Sequence, residues 1–228
     1  MKKYKFLLFD LDDTLLDFHK AEYHGIKNVM LKYNLDFDEK KYAIYNTINH
    51  KYWSMFEKNL IDQKQVLKLR FEEFFLRYNI KVDGKEVDDY YRLQLQDAAY
   101  VIPGAMQLLQ NLNEKYEIYA ATNGVGKTQY SRLVKSKMIN YFNDLFISQE
   151  IGFNKPDINF FEYCFTNIKN FDKKSTLMIG DSLQSDIKGG IDSGIDTCWY
   201  NPNIIENTTD FKATYEIDNL QQILSILK

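Results

Sequence analysis

The fold is decided by the stretch Lys5-Phe6-Leu7-Leu8-Phe9-Asp10-Leu11-Asp12-Asp13-Thr14 near the start of the sequence. An apolar run typical of a buried β-strand ends at Asp10, and Asp12 follows two positions later. Because residues i and i+2 of an extended chain project to the same side, we expect both carboxylates to face one place. Two carboxylates that close repel each other unless a cation lies between them or one is protonated. The pair therefore indicates a site for a hard cation such as Mg²⁺, although a turn or a helix N-cap would also use an Asp-x-Asp sequence.

The composition is that of an ordinary soluble globular protein. The chain has 228 residues, of which 27% are charged and 45% hydrophobic, and its formal net charge is -3. This length is enough for one large domain or two small ones. A slightly negative charge without a basic cluster argues against a nucleic-acid partner. The apolar runs are too short to cross a bilayer, which argues against a membrane partner.

The N-terminal segment and the cysteines indicate the cellular compartment. Residues 1–5 lead directly into the predicted strand, not into the apolar stretch and cleavage site of a secretory signal. Cys164 and Cys198 lack the spacing of a metal site, and we expect free buried thiols. The sequence therefore predicts a cytoplasmic protein, either a monomer or a homodimer.

The hydrophobic pattern changes along the chain. Between Asp17 and Ala99 apolar residues recur at helical spacing, and Asp38 and Asp62 are predicted to cap helices. The helices predicted in this region cover residues 18–33, 38–57, 62–78 and 84–98. After Pro103-Gly104, short apolar runs alternate with helical segments. The strands predicted there are Glu117–Thr122, Leu145–Ser148, Thr176–Gly180, Asp196–Tyr200 and Thr214–Ile217.

This alternation predicts an α/β fold in which helices cover both faces of a parallel sheet. The strand over Lys5–Asp10 belongs to the same sheet. The simplest architecture is a Rossmann-like parallel-sheet core that is interrupted after its first strand by a helical insert. The predicted core comprises residues 1–16 and 100–228, and the predicted helical insert comprises residues 17–99.

Polar residues follow two further predicted strands, and one lysine lies between them. Thr122 and Asn123 end the second strand at the start of a helix, where a hydroxyl, an amide and free N–H groups suit a phosphate or a capping turn. Lys155 would either reach an anionic ligand or be a solvated surface charge. Asp181 and Asp186 follow another strand, and helix capping explains only one of them. Because ligands gather at the carboxyl ends of parallel strands, we expect one functional site there.

In order and spacing, these segments resemble the four motifs of the haloacid dehalogenase superfamily. They read Asp10-Leu-Asp-Asp-Thr-Leu, Thr122-Asn-Gly, Lys155-Pro and Gly180-Asp-Ser-Leu-Gln-Ser-Asp. The resemblance covers essentially the whole chain, and the helical insert resembles the small cap domain of the first subclass. It implies a phosphatase in which Asp10 is the nucleophile that forms an aspartyl-phosphate. Asp12 would be the general acid and then the base that activates water.

The same resemblance implies the binding residues. Thr122 and Asn123 would bind phosphoryl oxygens, and Lys155 would neutralise charge around the nucleophile and the phosphate. Mg²⁺ would be held by Asp10, Asp181 and the backbone carbonyl of Asp12. Asp186 would fix either this metal shell or Lys155 in place. The metal residues implied are thus Asp10, Asp12, Asp181 and Asp186.

The choice of reaction follows from two positions. Dehalogenases of the superfamily lack an acid at position 12, because a halide leaves without a proton, so Asp12 favours phosphate transfer to water. Phosphomutases of the sugar-phosphate type use the same catalytic residues but usually carry Asp-Gly where this chain has Asp13-Thr14, which argues against a mutase. A sugar-phosphate phosphatase, a phosphomutase or a non-catalytic nucleotide-binding protein remains an alternative.

The substrate is indicated by two longer segments. Ala121-Thr-Asn-Gly-Val, and the stretch Gly180–Gly190 followed by Gly194–Pro202, resemble the bacterial pyrimidine 5'-nucleotidase branch. This implies a nucleoside 5'-monophosphate as the small phosphorylated substrate, with a pyrimidine or non-standard base. Aromatic side chains of the helical insert would either stack on the base or form the insert's core; they are Phe18, Tyr45, Tyr52, Trp53 and Phe56.

Overall fold

A computed structural model describes residues 4–58 and 60–228. The chain divides into two compact units. The core unit contains the residues up to Asp17 together with Tyr100–Lys228, and the helical unit is Phe18–Ala99. Asp17, which the sequence assigned to the helical insert, lies in the core unit. Its backbone N–H donates to the carbonyl oxygen of Tyr100 at 3.0 Å, so the two chain crossings lie side by side.

The helical unit contains four α-helices. They are α1 (Phe18–Lys32), α2 (Glu39–Glu57), α3 (Gln63–Leu76) and α4 (Gly84–Asp97), and each ends within two residues of its predicted limits. The predicted caps are confirmed, since the side chain of Asp38 accepts from the N–H of Lys41 and that of Asp62 from the N–H of Gln65, both at 2.8 Å. Such caps satisfy backbone donors that have no partner inside the helix.

Aromatic residues fill the interior of the helical unit. Tyr45 is fully buried, stacks on Phe71 with ring centroids 5.6 Å apart, and meets Phe74 edge to face. Phe56 is also buried. These two aromatic residues therefore belong to the core of the unit. Trp53 and Tyr52 are partly exposed, so they remain candidates for contact with a base.

The core unit is built on a parallel sheet, as predicted. All five strand pairs are parallel, and the strand order is β3-β2-β1-β4-β5-β6. The strands are β1 (Phe6–Phe9), β2 (Glu117–Thr122), β3 (Asp144–Ile147), β4 (Thr176–Gly180), β5 (Asp196–Tyr200) and β6 (Tyr215–Ile217). From β1 the chain builds outward to β3, then returns to place β4 on the other side of β1. The neighbours β1 and β4 therefore mark the point where the order reverses, at which open α/β sheets bind ligands.

Alternate residues of β1 pack on opposite faces of the sheet. Leu7 and Phe9 belong to one hydrophobic cluster, and Phe6 and Leu8 belong to the other. All four side chains are fully buried, which explains why this strand reads as a continuous apolar run. Every residue of this strand is therefore buried, and Asp10 follows directly after it.

Helices cover the sheet and connect its strands. They are α5 (Ala105–Leu112), α6 (Gly126–Lys135), α7 (Ser148–Ile151), α8 (Ile158–Asn167), α9 (Lys188–Asp192) and α10 (Ile223–Ile226), with a π-helical segment at Leu183–Ile187. Ser148, predicted as the end of a strand, begins α7 instead.

Two glycines of α9, Gly189 and Gly190, allow close packing. A Cβ atom at Gly189 would lie 2.4 Å from the Phe161 ring, and one at Gly190 would lie 2.5 Å from Thr197. Neither distance is compatible with a side chain larger than hydrogen. Within the described residues, no helix is both long and apolar enough to span a membrane.

Candidate active site

Three carboxylates meet beside the carboxyl ends of β1 and β4. Asp10 directly follows β1, and its backbone N–H donates to the carbonyl oxygen of Ile179 in β4 at 2.8 Å. Asp181 follows β4, and Asp186 lies in the π-helical segment beyond it. One carboxylate oxygen from each of the three lies within 4.8 Å of the other two. The two neighbouring strands therefore bring residues about 170 positions apart into one group.

Lys155 joins this group through three hydrogen bonds. Its Nζ donates to Asp10 Oδ1 at 2.7 Å, to Asp186 Oδ1 at 2.6 Å and to the carbonyl oxygen of Ala121 at 2.6 Å. An ammonium group has three donors, so all of them are used. The side chain is only 1% exposed, which excludes the reading of Lys155 as a solvated surface charge. It is a buried cation held between two acids.

The pKa values show that the single positive charge of Lys155 does not compensate the three carboxylates. Burial, followed by the nearby charges of Asp186 and Asp12, raises the pKa of Asp10 to about 8 despite the opposing effect of Lys155. The pKa of Asp181 is raised well above its usual value, first by burial and then by Asp10 and Asp186. Burial opposes the charged form of Lys155, but Asp10 and Asp186 outweigh it and raise the pKa.

Asp186 is fixed by the backbone that precedes it. Its Oδ2 accepts from the backbone N–H of Ser182 at 3.1 Å, while Oδ1 accepts from Lys155. A Cβ atom at Gly180 would lie 2.1 Å from Oδ2, so only glycine leaves room for this carboxylate. The π-helical turn after β4 therefore directs Asp186 back towards the strand end, and such turns are frequent at functional sites.

Asp181 is held from two sides. The hydroxyl of Thr14 donates to its Oδ1 at 3.3 Å, and the indole Nε1 of Trp199 donates to its backbone carbonyl at 2.8 Å. Thr14 is fully buried. Sequence reasoning assigned no role to Thr14, although its position two residues after Asp12 places it in the same motif.

The side chain of Asn123 is used to hold the segment that carries Lys155. Its Nδ2 donates to the carbonyl oxygen of Lys155 at 2.9 Å, and its Oδ1 accepts from the backbone N–H of Lys155 at 2.9 Å. This reciprocal pair links the end of β2 to the segment before α8. Binding of a phosphoryl oxygen by Asn123 stays a prediction, because both of these contacts are to the backbone of Lys155.

The side chain of Asp12 forms its hydrogen bonds with α6 and not with the three-carboxylate group. Gln129 Nε2 donates to its Oδ2 at 2.8 Å, and Arg132 Nη1 donates to its Oδ1. Gln129 Nε2 also donates to the hydroxyl oxygen of Thr122 at 3.0 Å. The two α6 residues were not identified from the sequence, where they read as ordinary polar positions of a helix. Of the predicted metal role of Asp12, only the part assigned to its backbone carbonyl is compatible with these contacts.

The donor set suits a hard divalent cation. Asp10, Asp181 and Asp186 offer only oxygen atoms, which are the ligands that Mg²⁺ prefers. The raised pKa values of Asp10 and Asp181 indicate that the ionised forms of these two carboxylates lack compensating charge, and a cation would supply it. The site therefore fits a metal ion on the chemistry of its own residues. Which of the predicted metal residues bind it stays a prediction.

The chain is similar to one known family and to a solved structure. Residues 7–200 match the model of the family described as Haloacid dehalogenase-like hydrolase. A crystal structure of the HAD-hydrolase YfnB from Bacillus subtilis, described as bound to magnesium and as revealing interdomain movement, superposes with a TM-score of 0.95. The two proteins are 39% identical, and the match covers 100% of both chains.

Two characterised relatives are similar over nearly their whole length. The pyrimidine 5'-nucleotidase PynA of Streptococcus pneumoniae (strain ATCC BAA-255 / R6) is 39% identical, with 98% of this chain and 95% of PynA covered. The pyrimidine 5'-nucleotidase YjjG of Escherichia coli (strain K12) is 30% identical, with 99% and 98% covered. The resemblance first indicated by the four motifs is thereby confirmed: the chain belongs to the haloacid dehalogenase-like hydrolase family.

Proposed function

We propose that the protein is a magnesium-dependent phosphomonoester hydrolase that acts through an aspartyl-phosphate, with nucleoside 5'-monophosphates as substrates. One observation carries the proposal. Asp10 lies at the end of β1, paired through Oδ1 with the buried Lys155 and grouped with two further carboxylates. A carboxylate fixed by one oxygen in this way presents its other oxygen for attack.

Two aspartates, Asp10 and Asp12, act in both chemical steps. In the first, Asp10 Oδ2 attacks phosphorus, the ester P–O bond breaks, and Asp12 gives its proton to the departing oxygen. In the second, Asp12 takes a proton from a water molecule, which attacks the phosphorus of the aspartyl-phosphate. The Asp10–phosphorus bond breaks, inorganic phosphate leaves and the Asp10 carboxylate is regenerated. Both aspartates end each cycle in their starting state.

The remaining groups of the site compensate the negative charge of the carboxylates and the phosphate. Mg²⁺ held by Asp10, Asp181 and the backbone carbonyl of Asp12, with Asp186 beside them, would neutralise the carboxylates and the phosphoryl oxygens that meet there. Lys155 keeps the Asp10 side chain in one orientation through its bond to Oδ1. Thr122, at the end of β2, offers a hydroxyl at the strand end where α6 follows. These groups together offset the repulsion that a phosphate dianion meets beside four acids.

The substrate class rests on the relatives and on the acid. PynA and YjjG are both named pyrimidine 5'-nucleotidases, and both are similar along the whole chain. Asp12 suits substrates whose leaving group is an alkoxide, because such an oxygen must be protonated as it departs. The 5'-oxygen of a nucleoside is a leaving group of this kind. We therefore infer that a nucleoside 5'-monophosphate with a pyrimidine or non-standard base is the preferred small phosphorylated substrate.

A panel assay tests the proposal. Phosphate release is measured from pyrimidine and purine nucleoside monophosphates, sugar phosphates and 4-nitrophenyl phosphate, each with Mg²⁺ and with a chelator. We expect release that needs the metal and is highest for pyrimidine monophosphates. Isomerisation of a sugar phosphate without release would contradict the hydrolase and favour a mutase. Release without Mg²⁺ would contradict the metal dependence.

A further inference from the structure

Gln129 and Arg132 lie on one face of α6, directly beneath the predicted acid Asp12. Residues three apart on a helix are neighbours, so both side chains reach the same place. Gln129 is 1% exposed and Arg132 is 0% exposed, although both are polar and Arg132 carries a charge. Burying a guanidinium group is costly unless an anion compensates it. Asp12 is the anion that Arg132 contacts.

The orientation of the Gln129 amide is set by Arg132. Arg132 Nη1 donates to Gln129 Oε1 at 3.0 Å, and a guanidinium group can only donate. The oxygen of the amide must therefore face Arg132, and the Nε2 donors must face the other way. There they reach Asp12 Oδ2 at 2.8 Å and Thr122 Oγ1 at 3.0 Å. One amide thus links the predicted acid with the predicted phosphate-binding hydroxyl.

The hydroxyl of Thr122 gains a defined direction from these contacts. Its oxygen accepts from Gln129 Nε2 and from the backbone N–H of Gly124, both at 3.0 Å. A hydroxyl has two acceptor positions and one proton, so both acceptor positions are used and the proton is directed elsewhere. Gly124 also makes room for the amide, because a Cβ atom there would lie 2.4 Å from Gln129 Nε2.

Asp12 can be held in this way and still transfer a proton. Each carboxylate oxygen has two acceptor positions, and α6 occupies one on each. The second position on either oxygen can carry the proton that Asp12 donates to the departing oxygen, or accept a proton from water. The contacts thus restrict the rotation of the side chain without removing its chemistry, as general acid catalysis requires.

The geometry points to Gln129 and Arg132 as positioning residues for catalysis: they orient the Asp12 carboxylate for proton transfer and the Thr122 hydroxyl for donation to a phosphoryl oxygen. This inference rests on the proposed hydrolase activity. It assigns the two residues no contact with substrate. Their effect passes through Asp12 and Thr122.

The test compares two esters that depend differently on a general acid. A nucleoside 5'-monophosphate needs protonation of its leaving oxygen, whereas 4-nitrophenolate leaves readily without it. The quantity compared is kcat/KM, which reports the step that releases the leaving group. We expect Gln129→Met and Arg132→Met to lower kcat/KM for the nucleotide by about 10- to 100-fold, at or below the roughly 10²-fold that marks the lower limit of a general acid's contribution, because the acid itself is retained. The loss for 4-nitrophenyl phosphate should be several times smaller, and Arg132→Lys should restore part of the nucleotide activity.

A matched control separates positioning from folding. Leu133 lies on the same helix and is not a site residue. It is fully buried in the hydrophobic cluster that also contains Leu7 and Phe9. We expect Leu133→Ala to lower the melting temperature, because it leaves a cavity in the core, and to leave the ratio of the two kcat/KM values unchanged. If Gln129→Met and Arg132→Met lower kcat/KM for both esters by the same factor, as a general loss of folded protein would, the two residues do not position the Asp12 acid and the inference is wrong.

A double-mutant cycle with Asp12→Asn tests whether Arg132 acts through Asp12. Once the acid is absent, Arg132→Met should lower kcat/KM for the nucleotide much less than it does in the wild-type protein, because only its effect on Thr122 through Gln129 remains. Independent, multiplying losses would overturn the inference.

A crystal structure of Gln129→Met gives a readout that needs no activity. We expect the Asp12 carboxylate to leave its position in that variant, and an unmoved carboxylate would overturn the inference. If the wild-type protein hydrolyses neither ester, the proposed function fails, whereas the crystal structure still decides whether α6 holds Asp12.

Discussion

Each unit of the protein buries a cluster of charges, and the two clusters differ in their balance. The strand-end cluster of the core unit contains four acids and two cations: Asp10, Asp12, Asp181, Asp186, Lys155 and Arg132. The helical-unit cluster contains two of each sign, joined by Asn49: Glu22, Asp88, Arg70 and Arg92. Arg70 Nη2 and Arg92 Nε donate to the two oxygens of Asp88, both at 2.6 Å, and Asn49 connects Arg70 to Glu22 at 2.8 Å on each side.

The difference separates a structural role from a chemical one. In the helical-unit cluster every buried charge finds an opposite charge or a hydrogen bond, which is what a stable fold requires. In the strand-end cluster the acids exceed the cations by two, and the pKa values of Asp10 and Asp181 are raised. A deficit of two positive charges is what one divalent cation supplies. We therefore expect metal and substrate to affect the strand-end cluster alone.

The largest expected effect is the loss of turnover in Asp10→Asn. An amide cannot attack phosphorus, so phosphate release with Mg²⁺ should fall by roughly 10⁴-fold or more, as when a nucleophile is removed. Asp88→Asn is the matched change in the helical-unit cluster, and its folded fraction should retain activity within about 10-fold. Circular dichroism confirms that each variant is folded. Equal losses in the two folded variants would contradict the division of roles.

The next effect concerns stability in the helical-unit cluster. Arg70→Met removes one partner of the fully buried Arg70–Asp88 pair and should lower the free energy of unfolding by about 3 kcal/mol. Urea denaturation followed by circular dichroism measures this change. A loss below about 1 kcal/mol would show that Arg92 and solvent compensate Asp88 on their own.

Metal binding should stabilise the protein through the strand-end cluster. At a Mg²⁺ concentration 100 times the dissociation constant, the gain is about 2.7 kcal/mol, seen as a higher melting temperature. Asp181→Asn should reduce this response, and Asp88→Asn should keep it. A response that survives Asp181→Asn unchanged would place the metal elsewhere.

The metal response should also depend on pH. Asp10 has a pKa of about 8 in the folded protein against 3.8 for the free side chain. The metal-free fold therefore keeps a proton that the unfolded chain loses, and its stability falls as the pH rises from about 4 towards 8. Because Mg²⁺ needs the carboxylate, the rise in melting temperature should be larger at pH 8 than at pH 6. An equal or larger rise at pH 6 would contradict a role for Asp10 in metal binding.

The smallest effect is expected for an exposed ion pair. Lys85 and Asp89 form an i,i+4 pair on α4 at 2.6 Å, and their side chains are 73% and 60% exposed. Lys85→Met should leave the melting temperature unchanged within error, since solvent screens such pairs. A clear loss would mean that burial is not what distinguishes the helical-unit cluster.

Most of the fold could be predicted because its elements carry local signals. The strand Phe6–Phe9 is buried on both faces, so its sequence is uniformly apolar, and the aspartates that cap α2 and α3 precede their helices directly. The short helix at Ser148–Ile151 was missed. Its four residues are too few to show a helical period, so the sequence indicated a continued strand.

The candidate site was predicted where residues directly follow strands and missed where they lie inside a helix. Asp10 and Asp181 are marked by the apolar runs before them. Gln129 and Arg132 carry no such mark, because polar residues on a helix usually face solvent. A signal was present nonetheless: Gln129 lies three residues before Arg132 and four before the apolar Leu133, spacings that place neighbours on a helix surface. Only the tertiary structure shows that this face packs against the end of β1.

The chain crossings between the two units have a consequence for protein engineering. Leu16 and Val101 form an antiparallel bridge, and the N–H of Ile102 donates to the carbonyl oxygen of Leu15 at 3.0 Å. Backbone hydrogen bonds within the core unit thus hold the two ends of the segment Phe18–Ala99 close together. A tight turn could replace that whole segment without breaking a hydrogen bond of the sheet, and it would close a far shorter loop at lower entropic cost. The helical segment is in this sense an exchangeable module, and segments of other lengths could be grafted between the same two residues.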